Sequence, residues 1–244
     1  IKILSDGGQI LAGLLALAEH SAAAGMTTKE LSDLVGREMT VLGAVSASKG
    51  YEGFPETICT SLNEAVVHGI PSSKVKLRTG DVLKIDITII YKGLVVDAAR
   101  TVYIGKPSSM PANIRRLIAG TERAMFAGID AIAGAGTKVG TVSAAIQTVL
   151  EAHQLAVVRD LVGHGVGFAM HEDPNIPNYG LPERGPLLRP GMTLAIEPMA
   201  TLGDWAVNIL DDGWTVVTRD RSLAAHFEHT VLVTEDGAEI LTTA

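Results

Sequence analysis

Two aspartates stand in the middle of segments that otherwise read as buried β-strand: Asp86 in residues 82–90, VLKIDITII, and Asp97 in residues 94–105, LVVDAARTVYIG. The intervening Tyr91-Lys92-Gly93 reads as a hairpin turn. A turn over 91–93 places Asp86 and Asp97 nearly opposite each other on adjacent antiparallel strands. Moving the turn by one residue shifts the register by two and still leaves both carboxylates on one face. Carboxylates that face each other among apolar side chains cannot both ionise without compensation. A bound cation supplies it; aspartates turned to solvent, or to backbone N–H groups, are the alternative.

Two glutamates repeat the pattern. Glu197 lies in TLAIEPM and Glu228 in AAHFEHTVLV, both strand-like and apolar. Taken singly, each of the four acids has an ordinary explanation; one dinuclear site accounts for all of them together. His164, between Gly163 and Gly165, adds an imidazole on backbone that can approach a site closely. Two aspartates, two glutamates and a histidine suit Mn, Fe, Co or Zn, with no soft thiolate to select copper. Carboxylates bridging two such ions hold a shared hydroxide against a polarised carbonyl, which is hydrolase chemistry. His68 and His171 are surplus to that ligand count. Both sit among loop signals, free to donate to a substrate amide or a developing oxyanion.

The rest of the chain supplies a scaffold. A first helix is expected over about residues 6–24, stopped by Gly25, and Thr27-Thr28-Lys29-Glu30 reads as a capping box that opens a second. Two further helices are expected over about 112–133 and 141–153. The final third reads as strands with no helix between them, which favours an α+β fold over a doubly wound parallel sheet. Residues 10–18, ILAGLLALA, are too few to span a bilayer. With Lys2 upstream and Ser21 to Ala24 downstream they outline a short secretory h-region, but Leu4, Ile10, Leu11, Leu14, Leu15 and Leu17 also suit the buried side of a helix. The sequence begins at Ile1, which leaves a leader open; a cytoplasmic location is the expectation. Twenty basic against 27 acidic side chains, a net charge of −7, argue against a nucleic acid held through its phosphates. A single cysteine, Cys59, excludes a disulfide framework and any Cys-rich metal site.

Along essentially its whole length the sequence resembles the type 1 methionine aminopeptidases of the pita-bread fold. The resemblance rests on residues 58–71, 80–105, 163–180 (GHGVGFAMHEDPNIPNYG), 188–199 (LRPGMTLAIEPM) and 212–234. It implies a pseudo-twofold antiparallel sheet with helices on its outer face, formed by residues 1–244 as one catalytic domain. It also implies two divalent ions: Asp86 bidentate on one, Asp97 and Glu228 bridging both, His164 and Glu197 completing the other. Glu197 is then also the proton shuttle, His68 meets the amide beside the scissile bond, and His171 meets its carbonyl oxygen. Tyr51, Phe54, Cys59 and Trp214 match the pocket for the methionine side chain, with Met170 standing where many bacterial members carry phenylalanine. Ala98-Ala99 replace a common Thr or Ser, removing a possible hydroxyl donor beside Asp97, and His226 replaces a frequent glutamine.

The expected partners are nascent polypeptide N-termini, with at most transient ribosome contact, no specific nucleic acid and no membrane. A monomer is expected. The main alternative is a proline-specific aminopeptidase or dipeptidase of the same fold, although such relatives usually carry a large N-terminal domain, and only 85 residues precede Asp86. The 25 residues between His171 and Glu197 leave no room for the helical insertion of type 2 enzymes. An inactive nascent-chain-binding module is the reading from outside catalysis, opposed by the complete ligand set.

Overall fold

The computed structural model describes residues 1–243. Its helices are α1 (Lys2–Ser21), α2 (Thr28–Val41), α3 (Ala112–Asp130) and α4 (Val139–Ala152). The strands of the first half are β1 (Val45–Ser46), β2 (Cys59–Leu62), β3 (Ala65–Val67), β4 (Val82–Tyr91) and β5 (Leu94–Tyr103). Those of the second half are β6 (Ala156–Val157), β7 (Gly163–Gly165), β8 (Glu172–Ile176), β9 (Thr193–Ile196) and β10 (Met199–Thr201), followed by β11 (Val207–Ile209), β12 (Val216–Thr218), β13 (Ala224–His226), β14 (Glu228–Val233) and β15 (Ala238–Ile240).

The largest sheet runs β1-β4-β5-β14-β9-β7-β8, with β2 also on β4 and β15 on β14. Two three-stranded sheets, β13-β10-β6 and β11-β12-β3, complete the architecture. The named pairings are all antiparallel. Each half contributes a helix pair to the same side of the main sheet. Leu11, Leu14 and Leu15 of α1 and Leu31 and Val35 of α2 pack on Leu83, Ile85, Ile87 and Ile89 of β4. Leu117 and Met125 of α3 and Val142 and Ile146 of α4 pack on Leu194 and Ile196 of β9 and Val231 of β14. Because side chains alternate along a strand, covering this face with helices sends Lys84, Asp86 and Thr88 of β4 to the other one.

Two expectations need correction. The β4–β5 turn is two residues long: Lys92 (φ 48°) and Gly93 (φ 83°) both take positive φ, the pattern of a type I′ hairpin. The register therefore sets Asp97 opposite Thr88 and Asp86 opposite Ala99, two residues from the expected pairing but on the expected face. Helix α1 begins earlier than expected, at Lys2, and it also ends earlier because residues 25–27 leave the helical path to pair elsewhere. The Gly25 N–H donates to the Leu77 carbonyl at 2.8 Å and the Leu77 N–H to the Met26 carbonyl at 2.8 Å. Thr27 then opens α2 with the expected capping box, its side chain and that of Glu30 each accepting from the other's backbone N–H.

Candidate metal centre

The uncovered face of the main sheet floors a cavity of about 300 Å³. Every residue that the sequence singled out for the site lines it: Tyr51, Phe54, Cys59, His68, Asp86, Asp97, His164, Met170, His171, Glu197, Trp214 and Glu228. The main sheet supplies the acids and His164. Asp86 comes from β4 and Asp97 from β5, Glu228 opens β14, Glu197 follows β9, and His164 is the centre of β7. Register aligns them, since Ala99 faces both Asp86 and Glu228, and His164 shares Ala195 as a partner with Thr230.

The glycines around His164 are steric necessities. A β-carbon on Gly163 would sit 2.4 Å from the Ala195 carbonyl oxygen, and one on Gly165 would sit 2.4 Å from that of Asp173. Only glycine lets β8 and β9 close on both sides of His164. His68, just past β3, holds a left-handed backbone (φ 59°). Such a conformation is sparsely populated for a residue with a β-carbon and persists where the surroundings enforce it.

Asp97, His164 and Glu228 are buried, and one ligand atom from each lies within 4.8 Å of the others. Asp86 and Glu197 keep an edge open to the cavity. No lysine or arginine pairs with any of the four acids among the described residues; the basic side chains beside Glu197 are histidines. Glu197 Oε1 lies 3.2 Å from His164 Nε2 and Glu197 Oε2 lies 3.5 Å from His226 Nε2. Burial lifts Asp97 and Glu228 well above the ordinary carboxylate range, helped by the other acids. Burial lifts Asp86 as well, against the pull of His226 and His68. For Glu197 burial acts the same way, but the close approach of His164 and His226 prevails and holds it at about 2. His164 is its mirror, raised to about 9 by Glu197 and Asp97 in spite of burial.

The donor set fits a divalent cation. His164 Nδ1 is paired with the Gly165 carbonyl at 2.9 Å, which directs Nε2 into the cluster, as in metal-binding histidines steadied by a carbonyl. Glu228 Oε1 is buried with no hydrogen-bond partner, an acceptor that folding alone leaves unsatisfied. Cys59, opposite Asp86 across β2 and β4, offers no thiolate: burial and then Asp86 push its thiol well up. Oxygen and imidazole donors remain, the set suited to divalent ions such as manganese, iron, cobalt and zinc.

Some contacts escaped the sequence reading. Thr88 Oγ1 donates to Asp97 Oδ1 at 2.9 Å, so Asp97 has a hydroxyl partner after all. Ala98 points into the helix-covered core, where a hydroxyl would not serve the site. Thr230 Oγ1 accepts from the Asp97 N–H and donates to its carbonyl, fixing β5 on β14. Asn178 Nδ2 donates to the Glu197 carbonyl at 3.1 Å. Only the strand register could have revealed Thr88, and nothing local marks Asn178. Around the acids, Phe54 and Trp214 meet edge to face at 5.2 Å and His68 meets Trp214 at 6.3 Å, while His171 stands edge-on to His164 at 4.5 Å.

Known proteins resemble the chain along nearly its whole length. The model of metallopeptidase family M24 matches residues 2–235. Methionine aminopeptidase A of Synechocystis is 45% identical over 242 residues, covering 99% of this chain and 94% of that protein. The crystal structure of methionine aminopeptidase from Thermotoga maritima superposes with a TM-score of 0.96 at 42% identity, covering 100% of this chain and 96% of the other. The prolidase of Pyrococcus furiosus shares the pita-bread fold alone, with a TM-score of 0.76 at 22% identity over 100% of this chain and 64% of that one. The chain belongs to metallopeptidase family M24, on its methionine aminopeptidase branch.

Proposed function

We propose that the protein is a divalent-metal-dependent aminopeptidase that hydrolyses the first peptide bond of polypeptides, releasing methionine when the second residue is small. The observation that carries this reading is the buried cluster of Asp97, His164 and Glu228, set in a cavity that also holds apolar side chains. Residues 1–244 act as one catalytic domain on nascent chains, as a cytoplasmic monomer that touches the ribosome only transiently. No helix among the described residues is long and apolar enough to cross a membrane.

Asp86, Asp97, His164, Glu197 and Glu228 would hold two ions, with manganese, iron, cobalt and zinc all compatible with the donors. When bound, the metal supplies Lewis-acid polarisation of the scissile carbonyl and of water. The remaining work falls to side chains. Glu197, steadied by His164 and His226, takes the proton of the attacking water and returns it to the leaving amine. His171 donates to the carbonyl oxygen as negative charge develops there, and His68 holds the neighbouring amide. The cationic α-amine of the substrate is drawn to the acidic end at Asp86, which restricts cleavage to the first residue. Phe54, Cys59, Met170, Trp214 and the ring of Tyr51 bury the methionine side chain, worth about 1.5–3 kcal/mol relative to exposure.

The test is direct. The purified protein should release methionine from Met-Gly-Met, lose that activity to a chelator and regain it with a divalent ion, while leaving Ala-Pro intact. Preferred cleavage of Ala-Pro, or no methionine release with any of the four metals, would overturn the reading.

A further inference from the structure

Tyr51 has a task besides enclosing a side chain. Its hydroxyl lies 3.0 Å from His171 Nδ1, and the two rings meet edge to face at 5.5 Å although 120 residues separate them. The loop that carries Tyr51 is held from within. The Gly50 N–H donates to the Phe54 carbonyl at 2.8 Å, and the Phe54 N–H returns to the Tyr51 carbonyl at 2.8 Å. Phe54 is in turn fixed against Trp214. The phenol is therefore presented to His171 by a braced turn.

A neutral imidazole carries one N–H, and the nitrogen without it is an acceptor. A phenol O–H aimed at Nδ1 finds its best acceptor there when Nδ1 is bare, which leaves the single proton on Nε2. We propose that Tyr51 is a positioning residue that fixes His171 as the Nε2–H tautomer, so that its only N–H faces the substrate. The proposal rests on the reading of His171 as the donor to the scissile carbonyl. It explains why a tyrosine, rather than a phenylalanine of the same apolar area, stands beside an otherwise hydrophobic pocket. It also separates the two histidines at this wall: His164 is oriented by a backbone carbonyl at Nδ1 and His171 by a side-chain hydroxyl at Nδ1.

Two measurements on Tyr51→Phe test the assignment. In ¹⁵N-histidine spectra of the zinc-loaded protein, wild-type His171 should show a protonated Nε2 and a hydrogen-bonded, bare Nδ1, and the Nδ1 resonance should move when the hydroxyl is removed. With Met-Gly-Met, kcat should fall about three- to tenfold, the scale of one neutral hydrogen bond, while KM and bound metal stay unchanged. In a His171→Gln background the same Tyr51 substitution should cause no further loss, because an amide has no tautomer to select. A proton on Nδ1, an unmoved His171 spectrum, or an undiminished additional loss in the glutamine background would each overturn the assignment. Failure of the underlying reading looks different: His171→Ala would then leave kcat unchanged while the tautomer result still stood.

Discussion

Strand β4 buries a cation and an anion two residues apart on the same face, and the fold treats them differently. Lys84 is 1% exposed, yet its ammonium donates to the Asn63 carbonyl at 2.8 Å and contacts that of Val82 at 3.3 Å. Burial brings its pKa down to about 7 against the opposing pull of Glu64 and Asp81. Lys84 thus finds local acceptors and sheds its charge readily. Asp86 joins Asp97, Glu197 and Glu228 with no ammonium or guanidinium paired to any of them among the described residues, and Glu228 Oε1 has no hydrogen-bond partner there. A buried charge that the fold satisfies from its own backbone needs nothing further, whereas one left unsatisfied marks a place for a ligand.

The largest effect should come from breaking the unsatisfied side. Asp97→Ala removes one of the proposed ligands, and the donors left would hold the proposed metal poorly. All but a trace of activity should disappear, with less metal per chain by elemental analysis of the purified variant. Near-normal kcat with unchanged metal content would show that the acids are no centre at all. Next in size is His171→Ala, which lies in the same cavity but outside the ligand set. It should lower kcat by about 10²–10³, the scale of one oxyanion donor, without changing bound metal. Loss of metal from this variant would make His171 a ligand and redraw the boundary between the acids and their surroundings.

How far the sequence exposed this site depends on the range of the interaction. Asp86 and Asp97 could be read because strand alternation is local and a carboxylate breaks an apolar run conspicuously. Their exact pairing could not, because Tyr-Lys-Gly accommodates turns of different length and only the packed sheet selects positive φ at Lys92. The capping box of α2 was legible for the same local reason, whereas the end of α1 was set by Leu77, some fifty residues on. Contacts such as Tyr51 to His171 and His226 to Glu197 join distant segments, and no window of sequence holds both partners. The family resemblance named candidate ligands; it did not name Thr88.

Thr88 gives the next prediction. Its hydroxyl is the side-chain donor that orients Asp97, and such supporting contacts are worth about 10–100-fold in metal affinity. Thr88→Val keeps the shape and β-branching of the side chain and removes the donor. Metal binding measured by competition with a chelator should weaken by about tenfold, near the lower end of that range, with the fold intact by circular dichroism. Unchanged affinity would mean that Asp97 is positioned by its backbone, through Thr230, alone.

The smallest effect is expected at Lys84, and it is the sharpest test of the contrast. Both carbonyls it contacts have a second donor. The Asn63 oxygen also accepts from the Ala224 N–H at 3.1 Å, and the Val82 oxygen accepts from the Asn63 N–H at 2.8 Å. Lys84→Met therefore leaves no buried carbonyl orphaned, keeps a long unbranched side chain in the same space, and removes the penalty of holding an ammonium away from water. Replacing a buried charged group by an apolar one of similar volume is often neutral or stabilising. Stability from urea unfolding of the metal-free protein should change by less than about 1 kcal/mol, the scale of a single net hydrogen bond. A loss above about 3 kcal/mol, the scale of breaking a buried ion pair, would show that the Lys84 charge is balanced against nearby acids. Lys84 would then be held as an ammonium by Glu64 and Asp81, and the contrast between a charge met by backbone carbonyls and carboxylates without a cationic partner would fail.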